Sequence, residues 1–83
     1  MSMNISEEQR RELLLNRMRE DRNKFLSESD WTQLPDNGLT TEKRAEWATY
    51  RQELRDIIAT LDPDTYRSYV TLWNSTTWPT KPS

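Results

Sequence analysis

Apolar side chains recur at helical spacing along the first third of the chain. Leu14 and Phe25 fall on one line of a helix that turns about 100° per residue, and neither glycine nor proline interrupts the stretch. Ser6, followed three residues later by Gln9, matches the sequence of a capping box at a helix start. The pattern therefore predicts an amphipathic helix over about residues 6–27.

A second stretch with the same periodicity predicts another helix over about residues 41–61. Its apolar face consists of Trp47, Tyr50, Leu54, Ile57, Ile58 and Leu61. The loop 28–40 between the two helices contains Pro35-Asp36-Asn37-Gly38, four successive residues of types that are favoured in turns. Helices joined by a loop of this kind pack as an antiparallel hairpin, so we assign residues 1–61 to a helical hairpin.

The C-terminal segment, residues 62–83, is ambiguous in its first half. Four of its apolar residues follow helical spacing, namely Tyr66, Tyr69, Val70 and Trp73. This spacing favours a short helix over about 63–73, although the β-branched and aromatic content also permits a strand. Residues 74–83 lack periodicity, and their prolines predict an extended tail led by Trp78. The fold class is therefore all-α: a small antiparallel helical hairpin with a short third helix or an extended aromatic tail.

Composition limits how much this fold can bury. The 83 residues are 33% hydrophobic, and four tryptophans and three tyrosines supply much of the apolar area. Chains of this length form small cores that often need added burial from a partner. The successive Leu13, Leu14 and Leu15 widen the apolar surface of the first helix beyond what one neighbour covers. We therefore expect association with another protein or with further copies of the chain.

The residue types that are missing exclude several classes of function. The chain has no cysteine, no histidine and a single glycine. These absences argue against disulfides, Cys- or His-ligated metals, thiol nucleophiles and phosphate-cradling loops. Acid pairs such as Asp62 with Asp64 are better explained as solvated side chains than as catalysts. We expect no enzymatic activity and no cofactor. The net charge of −2 disfavours nucleic acid as a partner, and no apolar run is long enough to span a membrane.

Four charged residues are candidates for a polar clasp that joins the two helices. Arg22 projects into the apolar face of the first helix, and Asp30 follows in the loop. Arg51 and Arg55 border the apolar face of the second helix and need acidic partners. The clasp would pair Arg22 with Asp30, and the two arginines of the second helix with either Asp30 or Asp36. Alternatively, the arginines are solvated and their stems cover the edge of the apolar face.

Aromatic residues outside the two apolar faces are candidates for partner contact. Trp31 either closes the open end of the hairpin or stands exposed as a contact. Trp78 docks either on its own hairpin or on another chain. The candidate partner-binding residues are Trp31, Tyr66, Tyr69, Trp73, Trp78 and Pro79.

Three segments resemble the bacteriophage tail (tail-fibre) assembly chaperone family. They are Ser-Asp-Trp-Thr-Gln at 29–33, Trp-x-x-Tyr-Arg-x-x-Leu-Arg-Asp-Ile at 47–57 and Trp-Pro-x-x-Pro at 78–82. The resemblance implies a binding module that docks on a phage tail or tail-fibre protein in the host cytoplasm during assembly. The alternative that it leaves open is a structural adaptor or decoration subunit retained in the virion tail or baseplate.

Overall fold

Three helices account for most of the structure, which is a computed structural model and describes residues 5–82. In chain order they are α1 (Glu7–Glu28), α2 (Thr41–Ile57) and α3 (Tyr69–Ser75), with short 3₁₀ turns at Asp30–Gln33 and Ile58–Thr60. This part of the chain contains no strand, so the predicted all-α class is confirmed and the strand alternative for the third element is wrong. Nor does it contain a helix long and apolar enough to cross a membrane.

Helix α1 begins at the predicted capping box. Ser6 Oγ accepts a hydrogen bond from the backbone N–H of Gln9 (3.1 Å), and Gln9 Oε1 accepts one from the N–H of Ser6 (2.9 Å). Helix α2 runs antiparallel to α1. Arg51, within α2, contacts the carboxyl end of α1, whereas Ile58, just after α2, packs against the cluster that contains Leu14 and Met18. The two helices thus form the expected hairpin.

Helix α2 ends earlier than its apolar periodicity predicts. The α-helix stops at Ile57 rather than at residue 61, and the chain tightens into the 3₁₀ turn Ile58–Thr60. Leu61 is then extended, with φ −81° and ψ 147°. Pro63 then keeps the helix from resuming at Asp62, because a residue that precedes proline is disfavoured in the helical region.

The third helix lies later in the chain than predicted, at Tyr69–Ser75 rather than at 63–73. Asp62 Oδ1 accepts hydrogen bonds from the backbone N–H groups of Asp64 and Thr65 (both 3.1 Å), which closes a turn where the helix was expected. Such side-chain bonds compete with helix formation. Ser68 instead supplies the N-cap through its hydroxyl, and α3 begins at the next residue.

The core consists of two small apolar clusters. One contains Leu14, Met18 and Leu72, and the other contains Trp47, Tyr50 and Leu54. Trp78 packs against both clusters. Its ring centroid lies 5.2 Å from that of Phe25 and 4.8 Å from that of Trp73. We call residues 76–82 the C-terminal strap. The strap has no regular secondary structure and docks on the hairpin of its own chain through Trp78.

A group of ion pairs fastens the start of α1 to the turn between α2 and α3. Arg10 donates to the carbonyl of Pro63 (2.8 Å) and pairs with Glu7 (3.1 Å) and Asp64 (3.2 Å). Arg67 also pairs with Glu7 (3.0 Å). Hydrogen bonds from Arg67, and then from Arg10, lower the pKa of Glu7 to about 2. The amino end of α1 is therefore tied to a segment far away in sequence.

The lowered pKa of Glu7 predicts a specific loss of stability in acid. Because the folded-state pKa is about 2 against an ordinary 4.5, the contribution of Glu7 is full above pH 4.5 and is lost as the pH falls toward 2. Glu7→Gln should lower the free energy of unfolding at neutral pH, and its difference from wild type should vanish near pH 2. Urea denaturation at a series of pH values measures this difference. Glu8→Gln is the control, and a difference for Glu7→Gln that is independent of pH would contradict the prediction.

The position of Trp78 between the clusters predicts a large effect of truncation. Trp78→Ala should reduce the free energy of unfolding by about 3 kcal/mol, since it removes contacts from both clusters at once. Trp31→Ala is the matched control, because Trp31 is about half exposed, and it should cost about 1 kcal/mol or less. Urea denaturation followed by circular dichroism measures both. Equal losses for the two variants would show that Trp78 does not join the clusters.

Candidate protein-binding site

The loop between α1 and α2 is held in one shape by the side chain of Asn37. Its Nδ2 group donates to the carbonyls of Trp31 (3.2 Å), Thr32 (2.7 Å) and Leu34 (2.9 Å). Its Oδ1 atom accepts from the backbone N–H of Leu39 (3.0 Å). One amide therefore satisfies several backbone groups of the loop, as asparagine does in turns.

Two buried hydroxyl residues shape the first half of the loop. Ser29 Oγ lies within hydrogen-bond distance of the carbonyls of Phe25 (3.0 Å) and Leu26 (3.1 Å) at the end of α1. Thr32 is fully buried, and its Oγ1 donates to the carbonyl of Ser29 (2.6 Å). These bonds close the 3₁₀ turn directly after α1, so the chain reverses direction with its buried polar groups paired.

Arg51 of α2 caps the carboxyl end of α1. Its Nη1 atom donates to the carbonyl of Leu26 (2.6 Å) and to Ser29 Oγ (2.8 Å), and its Nη2 atom pairs with Asp30 Oδ1 (2.8 Å). The last turn of α1 contains no basic residue of its own. Because free carbonyls at a helix end attract cations, Arg51 supplies from α2 the charge that α1 lacks.

The structure brings together two of the four residues predicted for the polar clasp. Arg51 and Asp30 are paired, but Arg22 and Arg55 lie elsewhere. Arg22 Nε donates to Asn23 Oδ1 (3.1 Å). Arg55, which is exposed, donates to Gln52 Oε1 (3.2 Å) on its own helix.

The largest apolar side chains of this loop face outward. Trp31 is 46% exposed and Leu34 is 58% exposed. Trp31 covers Trp47 from one side, with 6.0 Å between ring centroids, and leaves its other side free. We call Trp31 and Leu34 the loop surface. Trp31 thus partly closes the end of the hairpin and also remains available for contact.

The other residues predicted to bind a partner are mostly engaged within the chain. Trp73 and Trp78 are half-buried and pack on each other, and Pro79 is half-buried in the C-terminal strap. Tyr69 is half-buried against α1, where its hydroxyl donates to Asp21. Tyr66 is exposed beside the turn that precedes α3. Of these candidates, Trp31 and Tyr66 are the ones with large accessible area.

Leu34 and the two buried hydroxyl residues of the loop were not singled out from the sequence. Ser29 and Thr32 lie within the Ser-Asp-Trp-Thr-Gln segment at a spacing of three, which suits a tight turn. Leu34 carried no signal, because a single leucine before proline is as compatible with a core position as with exposure. In the described part of the chain, no group of acidic residues is arranged to hold a metal ion.

The capping geometry of Arg51 predicts an asymmetric pair of mutational effects. Arg51→Met should lower the free energy of unfolding by about 2 kcal/mol, since it removes the charged donor from both the Leu26 carbonyl and the Ser29 hydroxyl oxygen. Asp30→Asn should cost about 1 kcal/mol or less, because the Asp30 side chain is 66% exposed. Arg55→Met is the control and should have an effect within about 0.5 kcal/mol. Equal losses for Arg51→Met and Asp30→Asn would show that the ion pair, not the helix cap, is the main contribution.

Comparison with known proteins agrees with the resemblance of the three segments. The model of the family described as "Phage tail assembly chaperone protein" matches residues 15–83, which include α1 from residue 15 onward, all of α2 and α3, and the C-terminal strap. No curated protein and no solved structure gave a significant match. Since the family match covers most of the sequence, the chain belongs to the phage tail assembly chaperone protein family.

Proposed function

We propose that the chain docks through its loop surface on a phage tail or tail-fibre subunit and keeps that subunit competent for assembly. A role in tail assembly follows from membership of the family. The observation that supports the docking surface is the exposure of Trp31 and Leu34 on a loop whose backbone is fixed by hydrogen bonds.

Rigidity makes this loop suited to binding. Asn37 bonds the Trp31 carbonyl, and Arg51 bonds the Leu26 carbonyl and the Asp30 carboxylate before it, so little conformational freedom is lost when a partner covers the indole. Tryptophan is also among the residues that most often dominate the binding energy of protein interfaces. A preorganised tryptophan beside an exposed leucine is therefore a suitable anchor for another protein.

The surroundings of the loop surface have the composition of an interface rim. The carboxylates of Asp30 and Asp36 are exposed next to the two apolar side chains. Apolar anchors within a polar, solvated border are typical of protein–protein contacts. In this proposal the chain acts by covering a surface of the tail subunit, and no catalytic step is involved.

Truncation of the loop surface should weaken binding without unfolding the chain. Trp31→Ala should raise the Kd for the tail subunit by about thirtyfold, which corresponds to about 2 kcal/mol for an interface tryptophan. Leu34→Gln should have a smaller effect in the same direction. Isothermal titration calorimetry against each purified tail and tail-fibre protein measures the Kd, and circular dichroism checks that the fold is retained.

Val70→Thr is the matched control, since Val70 is 64% exposed on α3 and lies outside the loop surface. Unchanged affinity for Trp31→Ala, or an equal loss for Val70→Thr, would contradict the proposal. If the chain acts only during assembly, mass spectrometry should not detect it in purified virions. Presence of the chain at a fixed copy number would instead make it a structural adaptor of the tail.

A further inference from the structure

A groove of about 420 Å³ lies on the opposite half of α1 from the loop surface, between α1 and the start of α3. Three arginines line it, namely Arg10, Arg17 and Arg67, together with apolar side chains that include Ile5 and Leu13. No acidic side chain is among its lining residues in the described part of the chain. We call this region the arginine groove. Its charged lining consists of guanidinium groups, although the chain as a whole has a net charge of −2.

Arg17 is the arginine of this groove whose charge is available. Arg10 and Arg67 are both paired with Glu7. Arg17 has no ion-pair partner among residues 5–82, and its guanidinium lies over the ring of Tyr69, 4.2 Å from the ring centroid. Stacking of this kind fixes the position of a guanidinium while its N–H groups stay free to bind a carboxylate.

Tyr69 is itself held in place beneath Arg17. Its hydroxyl donates to Asp21, and this hydrogen bond raises the pKa of Tyr69 above its ordinary value. One oxygen of the Asp21 carboxylate, Oδ2, is thereby engaged by Tyr69. The guanidinium of Arg17 thus stacks on a tyrosine ring whose hydroxyl end is fixed by the hydrogen bond to Asp21.

Leu13 supplies an apolar contact beside that cation. It is 61% exposed, although its neighbour Leu14 is buried in the core. Ile5, one wall of the same groove, is 48% exposed. Both residues precede position 15, where the family match begins. Part of the arginine groove therefore lies outside the segment that the family model matches.

We propose that the arginine groove binds an acidic segment of a tail protein, whose carboxylate pairs with Arg17 and whose apolar side chain covers Leu13. The partner is defined by charge complementarity with Arg17: the other two arginines of the groove are paired with Glu7, whereas the guanidinium of Arg17 has no ion-pair partner among residues 5–82 and favours a carboxylate. The proposal rests on the role in tail assembly and adds a second contact to the loop surface. About 22 Å of helix separates Leu13 from Glu28, so two partners or two parts of one partner bind at once.

Overlapping short peptides that tile the tail and tail-fibre proteins of the phage provide the test. The labelled wild-type chain is titrated against this set by fluorescence anisotropy, at low and at high salt. Peptides that bind should contain acidic residues next to an apolar one, and their affinity should fall as salt rises. Amide chemical shifts of the isotopically labelled chain should then change around Leu13, Arg17 and Tyr69.

Variants separate the arginine groove from the loop surface. Arg17→Gln and Leu13→Gln should each weaken binding of these peptides, by about tenfold for the lost charge-assisted hydrogen bonds of Arg17. Arg19→Gln is the control, because Arg19 pairs with Glu12 and does not line the groove. Trp31→Ala, the variant that tests the loop surface, should leave the affinities for these peptides unchanged.

Several outcomes would overturn the proposal for the arginine groove. They are the absence of any bound peptide, a bound set that is not acidic, and binding that is insensitive to Arg17→Gln. Loss of the same binding with Trp31→Ala would assign the peptides to the loop surface instead. Light scattering that shows a dimer dissociated by Leu13→Gln would make a second copy of the chain the occupant.

Discussion

Trp78 packs against both apolar clusters, and among residues 5–82 it is the one side chain shared by the two. Each cluster alone buries three apolar side chains, too few to stabilise a hairpin of this length against its conformational entropy. By filling the space between them, the indole converts two small clusters into one continuous core. The C-terminal strap is therefore part of the fold, although its described backbone beyond residue 76 makes no hydrogen bond to the helices.

A core of this size leaves the loop between α1 and α2 to be organised by polar side chains. Arg51 reaches across from α2 to the Leu26 carbonyl at the end of α1, and Asn37 bonds the backbone on the far side of the turn. Buried polar groups of this kind stabilise a structure when they are paired, and here most of them are. Because polar contacts fix the backbone, Trp31 and Leu34 are not needed to hold the loop and remain exposed.

Local signals in the sequence predicted the parts of the fold that depend on local physics. The capping box of Ser6, the apolar faces and the hairpin follow from spacing within single elements. The start of α3 was misplaced because the hydrogen bonds of Asp62 close a turn where apolar periodicity predicts a helix. The sequence could not distinguish the roles of Arg51 and Arg55, since both border the same face of α2. Only the position of α1 decides which of the two arginines reaches the Leu26 carbonyl.

Exposure of large apolar side chains is costly for a chain that has so few of them. Each buried Å² of apolar surface contributes about 25 cal/mol, so Trp31, Leu34 and Leu13 forgo stabilisation that this small core lacks. Two of the three lie at the loop end of α1, and one lies beside a stacked arginine near the other end. Because one surface lies within α1 and the other directly follows its end, the spacing between them is fixed by the rise of that helix. In the proposed arrangement, the length of α1 thus sets the distance between the two contacts with a tail protein.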